Sequence, residues 1–254
     1  MILAVDIGNT NIVLGVLDGE KILLAERVST DRNHTELEYI VQVKTLLELY
    51  GINPVDLKGS IVSSVVPPLN NIIRAALRKL LGSDPLFVGP GVKNGVNIKV
   101  DNPASVGSDL IVDAVAAIKY YGAPCLIIDM GTATTISVVD EKKNYIGGLI
   151  MPGVRISLDA LVSRTAQLPR ISLDAPDKTI GTNTIDCMKS GTVIGAAASM
   201  DGLVERMLEE LGEEAAVVAT GGLAQRIVPH CRHHIILDND LTLKGLGIIY
   251  EKNC

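Results

Sequence analysis

Two short segments, Asp6-Ile7-Gly8-Asn9-Thr10 and Asp129-Met130-Gly131-Thr132, carry the residue types that grip a metal-bound polyphosphate. In each, a carboxylate, flexible backbone amides and hydroxyls meet at one tight turn. Anions settle on convergent N–H groups, and Mg²⁺ favours a carboxylate supplemented by water. Asp6 would hold Mg²⁺ through water, while Asn9 and Thr10, beside the Gly8 amide, would touch a phosphate being transferred. The Gly131 amide and the Thr132 hydroxyl would complete the cradle. A single Asp-x-Gly-x-Thr is a common strand-to-turn junction, so the second copy gives the motif its weight.

Two further stretches extend this chemistry. Val218-Ala219-Thr220 reads as a strand running into Gly221-Gly222, where the absence of a Cβ would let a flat nucleoside pass close to the backbone. Asn102-Pro103 and Gly107 break the chain before a helix that Ser105 or Ser108 could cap, placing Asp109 near its first turn. There the helix dipole favours the ionised carboxylate that a general base must be. His230-Cys231-Arg232-His233-His234 has no second cluster at ligand spacing and reads as a solvated helix end.

The elements that must position these residues alternate along the chain. Each acidic motif follows an apolar run, Ile2 to Val5 or Leu126 to Ile128, and leads into a second β-patterned stretch. Thr35-Glu36-Leu37-Glu38 is a capping box, predicting a helix whose apolar stripe is Leu37, Ile40, Val43, Leu47 and Tyr50. Strand Ile61–Val66 meets Pro67-Pro68, and a helix follows over Leu69–Leu81. Val193, Ala197, Met200, Val204, Met207 and Leu211 form the stripe of the most regular helix, kept slim by Gly191 and Gly195. The two motif aspartates lie 123 positions apart, close to half of the 254 residues, which predicts two copies of one unit. The expected fold is α/β, with domains at residues 1–115 and 116–254 and a cleft between them.

Composition removes several classes of function. The net charge of −6 and the absence of Trp leave no footprint for nucleic acid and disfavour anionic membranes. No apolar run approaches the ~20 residues of a membrane helix. Cys125, Cys187, Cys231 and Cys254 show no CxxC pairing, as expected of reduced thiols in the cytoplasm.

In its motifs and their order the chain resembles the type III pantothenate kinases, relatives of actin, hexokinase and heat-shock ATPases. The resemblance rests on Asp6–Thr10, Ser63–Pro67, Asn102-Pro103 with Gly107-Ser108-Asp109, and Asp129–Thr134. Gly147-Gly148 with Met151–Gly153, Thr165–Pro169, Gly181–Thr184, Thr220–Gly222 and Leu241–Leu246 continue it. It implies duplicated actin-like (ribonuclease H-like) domains facing a nucleotide cleft, a homodimer, and ATP-dependent phosphorylation of pantothenate. By the same resemblance Asp109 is the catalytic base, Asp6 the Mg²⁺-associated carboxylate, and Asp129 a holder of K⁺ or NH₄⁺. Thr132 matches a phosphate contact, and Thr184 a position that reaches the acceptor site across the dimer.

Val100, Gly107, Ser108 and Leu110 fall at the family's acceptor-binding stretch, and two of them depart from its pattern. The family carries Arg where this chain has Leu110 and Tyr where it has Val100. Losing one charge-assisted hydrogen bond to a carboxylate ligand costs about ten- to a hundred-fold in affinity. Two other readings accommodate the same residues: a kinase for another small alcohol or acid, and a catalytically silent nucleotide-binding regulator.

Overall fold

The computed structural model describes residues 1–254. The chain opens with β1 (Ile2–Ile7), β2 (Asn11–Asp18), β3 (Lys21–Ser29), α1 (Glu36–Leu49), β4 (Ser60–Ser64), α2 (Pro67–Leu81) and β5 (Leu86–Phe87). There follow β6 (Asn97–Ile98), α3 (Ser108–Tyr120), β7 (Cys125–Met130), β8 (Ala133–Val139), β9 (Asn144–Pro152) and α4 (Val154–Ser163). The last elements are α5 (Thr184–Lys189), α6 (Gly195–Leu211), β10 (Ala216–Thr220), α7 (Ala224–Ile227), β11 (Ile236–Leu237) and α8 (Leu241–Asn253). A π-helical turn, Ser190–Ile194, joins α5 to α6.

Two compact units result. The first holds Met1–Val96, Asp101–Ala116 and Asp240–Cys254; the second holds Asn97–Val100 and Ala117–Asn239. The sheet of the first unit runs β3-β2-β1-β4-β5. In the second the order is β9-β8-β7-β10-β11, the same plan, with β6 added beside β9. In both, the first three strands are antiparallel and the fourth and fifth are parallel to the first. The duplication expected from the spacing of the two motifs is therefore present strand by strand, in a mixed α/β fold.

Strand parity decides what each face does, because successive side chains point to opposite sides. Leu3, Val5 and Ile7 pack with Tyr39, Leu47, Leu69 and Ile73 of α1 and α2. Ala4 and Ile61 face the other way, into a cluster with Val112 and Val115 of α3 and Leu243 and Leu246 of α8. Asp6 shares the parity of Ala4 and so lies on the α3 side. In the second unit Leu126, Ile128 and Met130 join Val154, Val193, Ala197, Met200 and Val204 in one core. Asp129 again has the opposite parity.

Helix ends follow the local signals. The Glu38 carboxylate accepts hydrogen bonds from the Thr35 N–H (2.6 Å) and hydroxyl (2.8 Å), making the predicted capping box. The buried stripe of α1 differs from the expected one: it is Tyr39, Val43, Leu46 and Leu47, with Leu37 67% and Tyr50 46% exposed. The phenol of Tyr39 donates to the Asp31 carbonyl at 2.6 Å, which lets a polar-tipped ring take the core position. Pro67 and Pro68 open α2, where missing N–H groups cost nothing, and Gly82 closes it in the left-handed region. The four cysteines are free thiols, and burial pushes Cys125 up to about 12. No helix is long and apolar enough to cross a membrane.

Candidate active site

In the first unit, β1 ends at the Asp6 motif and reverses through Gly8–Thr10 into β2. The turn is closed by the Gly8 N–H donating to the Asn11 carbonyl at 3.0 Å. The segment after β3 braces it from outside: the Thr30 hydroxyl donates to the Gly8 carbonyl (2.7 Å) and the Thr30 N–H to the Thr10 carbonyl (3.0 Å). Arg32 Nη2 donates to Asn9 Oδ1 at 3.1 Å. Sequence reasoning passed over Thr30 and Arg32. Only the pairing of β2 with β3, which sets Asn11 opposite Ser29, brings them to the turn.

Asp109 reaches the same sheet end through a chain of neighbours. Asp6 lies opposite Ser63 in the parallel β1–β4 pair. The Ser63 hydroxyl is 3.0 Å from the Ser108 hydroxyl, which accepts from the Ser64 N–H (3.1 Å) and lies 3.2 Å from the Ser64 carbonyl. Ser108 begins α3, so this clamp seats the first turn of the helix, with Asp109 on it, against the strand beside Asp6. The Ser108 hydroxyl faces β4 instead of capping its helix. Ser105 hydrogen-bonds the Asn102 carbonyl at 2.7 Å.

The dipole-based expectation for Asp109 meets a stronger effect. Burial raises its pKa above the ordinary aspartate value, against the lowering influence of the Leu110 N–H and its own N–H. Charge is disfavoured by desolvation more than it is favoured by these donors. The outcome is a carboxylate more basic than one in water. Gly107 makes room for it, since a Cβ there would stand 2.4 Å from Asp109 Oδ1. Leu110 contributes its N–H to that oxygen at 2.9 Å, and its side chain is half-buried.

In the second unit, Asp129 sits opposite Thr135 on β8 and Thr220 on β10. Directly paired residues share a face, so two hydroxyl-bearing side chains flank this carboxylate. Thr135 Oγ1 is buried without a hydrogen-bond partner. Gly221 follows Thr220 and lies against Asp129, so β10 brings the Gly-Gly turn to the second acidic motif. Gly131 and Thr132 form the turn between β7 and β8, and Gly222 lies exposed in the turn before α7.

The remaining candidates lie elsewhere in the second unit. Thr184 is exposed at the start of α5, on the rim of a cavity of about 940 Å³. Leu158, Leu161, Leu168, Met188 and Gly195 line the same cavity, whose walls are mainly apolar. Val100 follows β6, the strand added beside β9, and is half-buried. The His230–His234 segment is tied down by Asp201, which accepts from the Arg232 and His233 N–H groups at 2.9 to 3.0 Å. No group of three or more His, Cys, Asp or Glu side chains could hold a metal by itself.

Comparison with known proteins bears on the family and the fold. A family model described as type III pantothenate kinase matches residues 2–206. A relative named type III pantothenate kinase from Bacillus cytotoxicus is 48% identical over 253 residues, covering 100% of this chain and 97% of the relative. Among solved structures, a conserved putative Baf family transcriptional activator from Campylobacter jejuni superimposes with a TM-score of 0.60 at 19% identity, over 99% of this chain and 98% of the other. An inorganic polyphosphate/ATP-glucomannokinase from an Arthrobacter strain gives a TM-score of 0.51 at 18% identity over 99% of each chain. The last two speak to the fold alone.

Proposed function

This chain belongs to the type III pantothenate kinase family, and from that membership we propose that it is a phosphotransferase moving the γ-phosphoryl group of ATP to the primary hydroxyl of pantothenate. The observation that supports this reading is the Asp6–Ser63 register with the Ser63–Ser108 hydrogen bond, which brings the Asp109 carboxylate, made more basic by burial, to the end of the sheet where the Asp6–Thr10 turn lies. In the proposed reaction, Asp109 accepts the hydroxyl proton as the alcohol oxygen bonds to the γ-phosphorus. The bond from that phosphorus to the bridging oxygen breaks, and ADP leaves. Asn9, Thr10, Gly131 and Thr132 are the proposed phosphate contacts, and Gly221-Gly222 the proposed nucleoside contact. Transfer of this kind depends chiefly on positioning and electrostatics.

Asp6 would hold Mg²⁺ through water, and Asp129 would hold K⁺ or NH₄⁺. The orphaned Thr135 hydroxyl beside Asp129 fits a small cation or water that completes its hydrogen bonding. These ions would neutralise charge gathering on the phosphoryl oxygens. The proposal also includes cytoplasmic residence and an actin-like character for each of the two units.

A second reading is favoured by a specific feature: Leu110 and Val100 leave the acceptor stretch without the family's Arg and Tyr, so another small alcohol or acid would be the better acceptor. ADP release measured across a panel of acceptors, with ATP, Mg²⁺ and K⁺, separates the two. Pantothenate turning over at ordinary enzyme efficiency decides for the first reading. The double substitution Val100→Tyr with Leu110→Arg should raise kcat/KM for pantothenate by about ten- to a hundred-fold, the worth of a charge-assisted hydrogen bond. An unchanged value would remove both positions from acceptor recognition.

We further propose a homodimer docked through the face that carries Thr184. A Cβ at Gly195 meets nothing within 4 Å, so an isolated protomer has room for Gly195→Arg. Sedimentation velocity should show wild type as a dimer and this variant shifted to monomer. A dimer unmoved by the substitution places the contact elsewhere.

A further inference from the structure

Arg32 reaches the Gly8–Thr10 turn without an acidic partner of its own. Its hydrogen bond is to Asn9 Oδ1 (3.1 Å), and no carboxylate forms an ion pair with it. The adjacent carboxylate, Asp31, is occupied elsewhere. It accepts from the Asn33 N–H at 2.8 Å and lies 3.5 Å from His34 Nε2. The chain leading into Arg32 is held at two points, by Thr30 bound to the Gly8–Thr10 turn and by the Tyr39 phenol on the Asp31 carbonyl. Arg32 is itself exposed, but the segment that carries it is anchored rather than loose. Here a cation is presented at a fixed place.

The chemistry of the pair adds direction. A guanidinium has five donors and no acceptor, whereas an asparagine amide has an oxygen at one end and an NH₂ at the other. Arg32 can therefore engage Asn9 only through the amide oxygen. The NH₂ end is left for whatever enters the turn, and a donor is what a phosphate oxygen requires. Without Arg32 the amide could rotate and present its oxygen to the anion, which repels it. The guanidinium's remaining donors add positive charge at the same spot.

Resting on the reading of this turn as the seat of the ATP phosphates, we propose that Arg32 is a positioning residue for the polyphosphate: it locks Asn9 with its donor end toward the nucleotide and supplies positive charge at the turn. Its contribution scales with the number of phosphates on the ligand. It does not act on the nucleoside.

The test uses the full-length protein and titrates ATP, ADP and adenosine into wild type, Arg32→Gln and Arg32→Lys by calorimetry at two salt concentrations. Arg32→Gln should weaken ATP binding by about ten- to a hundred-fold. It should weaken ADP less and leave adenosine within about twofold. Arg32→Lys keeps the charge and one donor, and should recover part of the loss. In turnover assays the change should fall mainly on KM for ATP. Combining Arg32→Gln with Asn9→Ala should cost less than the sum of the two, because one acts through the other. Equal losses for ATP and adenosine, or none for either, would overturn the inference while leaving the turn's assignment intact. Wild-type protein that binds adenosine as tightly as ATP would overturn the assignment of the turn, and Arg32's role with it.

Discussion

Asparagine in place of Asp109 should remove turnover while leaving ATP affinity within about twofold of wild type. A positioned general base contributes roughly 10²- to 10⁴-fold to rate, and the amide that replaces it cannot take a proton. The substitution changes little else. Asparagine is the same size, and its Oδ1 can keep the Leu110 N–H bond now made at 2.9 Å. The residues assigned to the nucleotide are untouched. Stability should move the other way from activity. Burial holds the proton on Asp109 above the ordinary aspartate value. A carboxyl that binds its proton more tightly when folded stabilises the protein fully below its unfolded pKa, and that contribution fades as pH rises through the folded value. The substituted amide never ionises, so the variant should melt at or above wild type at neutral pH and lose that advantage in acid. For the same reason, the acid limb of the kcat/KM profile of the wild type should lie above the pKa of a solvated aspartate. Calorimetric titration with ATP, a coupled ADP assay and thermal melts between about pH 4 and 8 measure all three. Equal loss of binding and turnover would take Asp109 out of the role of base.

How far such a site can be read from sequence depends on whether its parts are near in the chain. The acidic turns were legible because each is a continuous strand-turn-strand of a few residues, and because the copy at half-chain spacing repeats the same parity. Asp109 was legible as a helix-start carboxylate from Asn102-Pro103 and Gly107. Its basicity was not, because local sequence shows the dipole and the amides but not the burial that outweighs them. The Ser63–Ser108 clamp spans 45 positions and depends on β4 pairing with β1, a register no local pattern encodes. Arg32 and Thr30 were missed for a similar reason: each is an ordinary polar residue until β3 folds back on β2. The apolar stripe of α1 was misplaced because Leu37 and Tyr50 look like core residues by type. The sheet instead takes Tyr39, whose hydroxyl finds a carbonyl. Nothing in motif spacing signals that α8, at the end of the chain, packs within the first unit.

The largest structural penalty should come from Gly221→Ala. Two costs coincide there. The backbone is at φ +93°, a conformation that L side chains rarely adopt, worth about 1–3 kcal/mol. A Cβ would also stand 2.4 Å from Asp129 Oδ1 and 2.6 Å from the Met130 backbone N and C, and forcing atoms into a packed site costs roughly 1–3 kcal/mol more. Backbone cannot swing aside as a flexible side chain can, so the β7 end must shift, carrying Asp129 and the Gly131–Thr132 turn with it. For a chain of this size the combined loss corresponds to a drop in melting temperature of roughly 5–15 °C. On the proposed reading, ATP affinity should fall with it, since the same shift opens the phosphate cradle. Two measurements separate these effects. A thermal melt reports the strain directly, and ATP titration well below the lowered melting temperature reports the cradle. A variant that melts with wild type would mean the β10–α7 turn can relax away from Asp129. A variant that melts early yet binds ATP normally would detach Gly221 from the nucleotide while leaving its role in seating β7 intact.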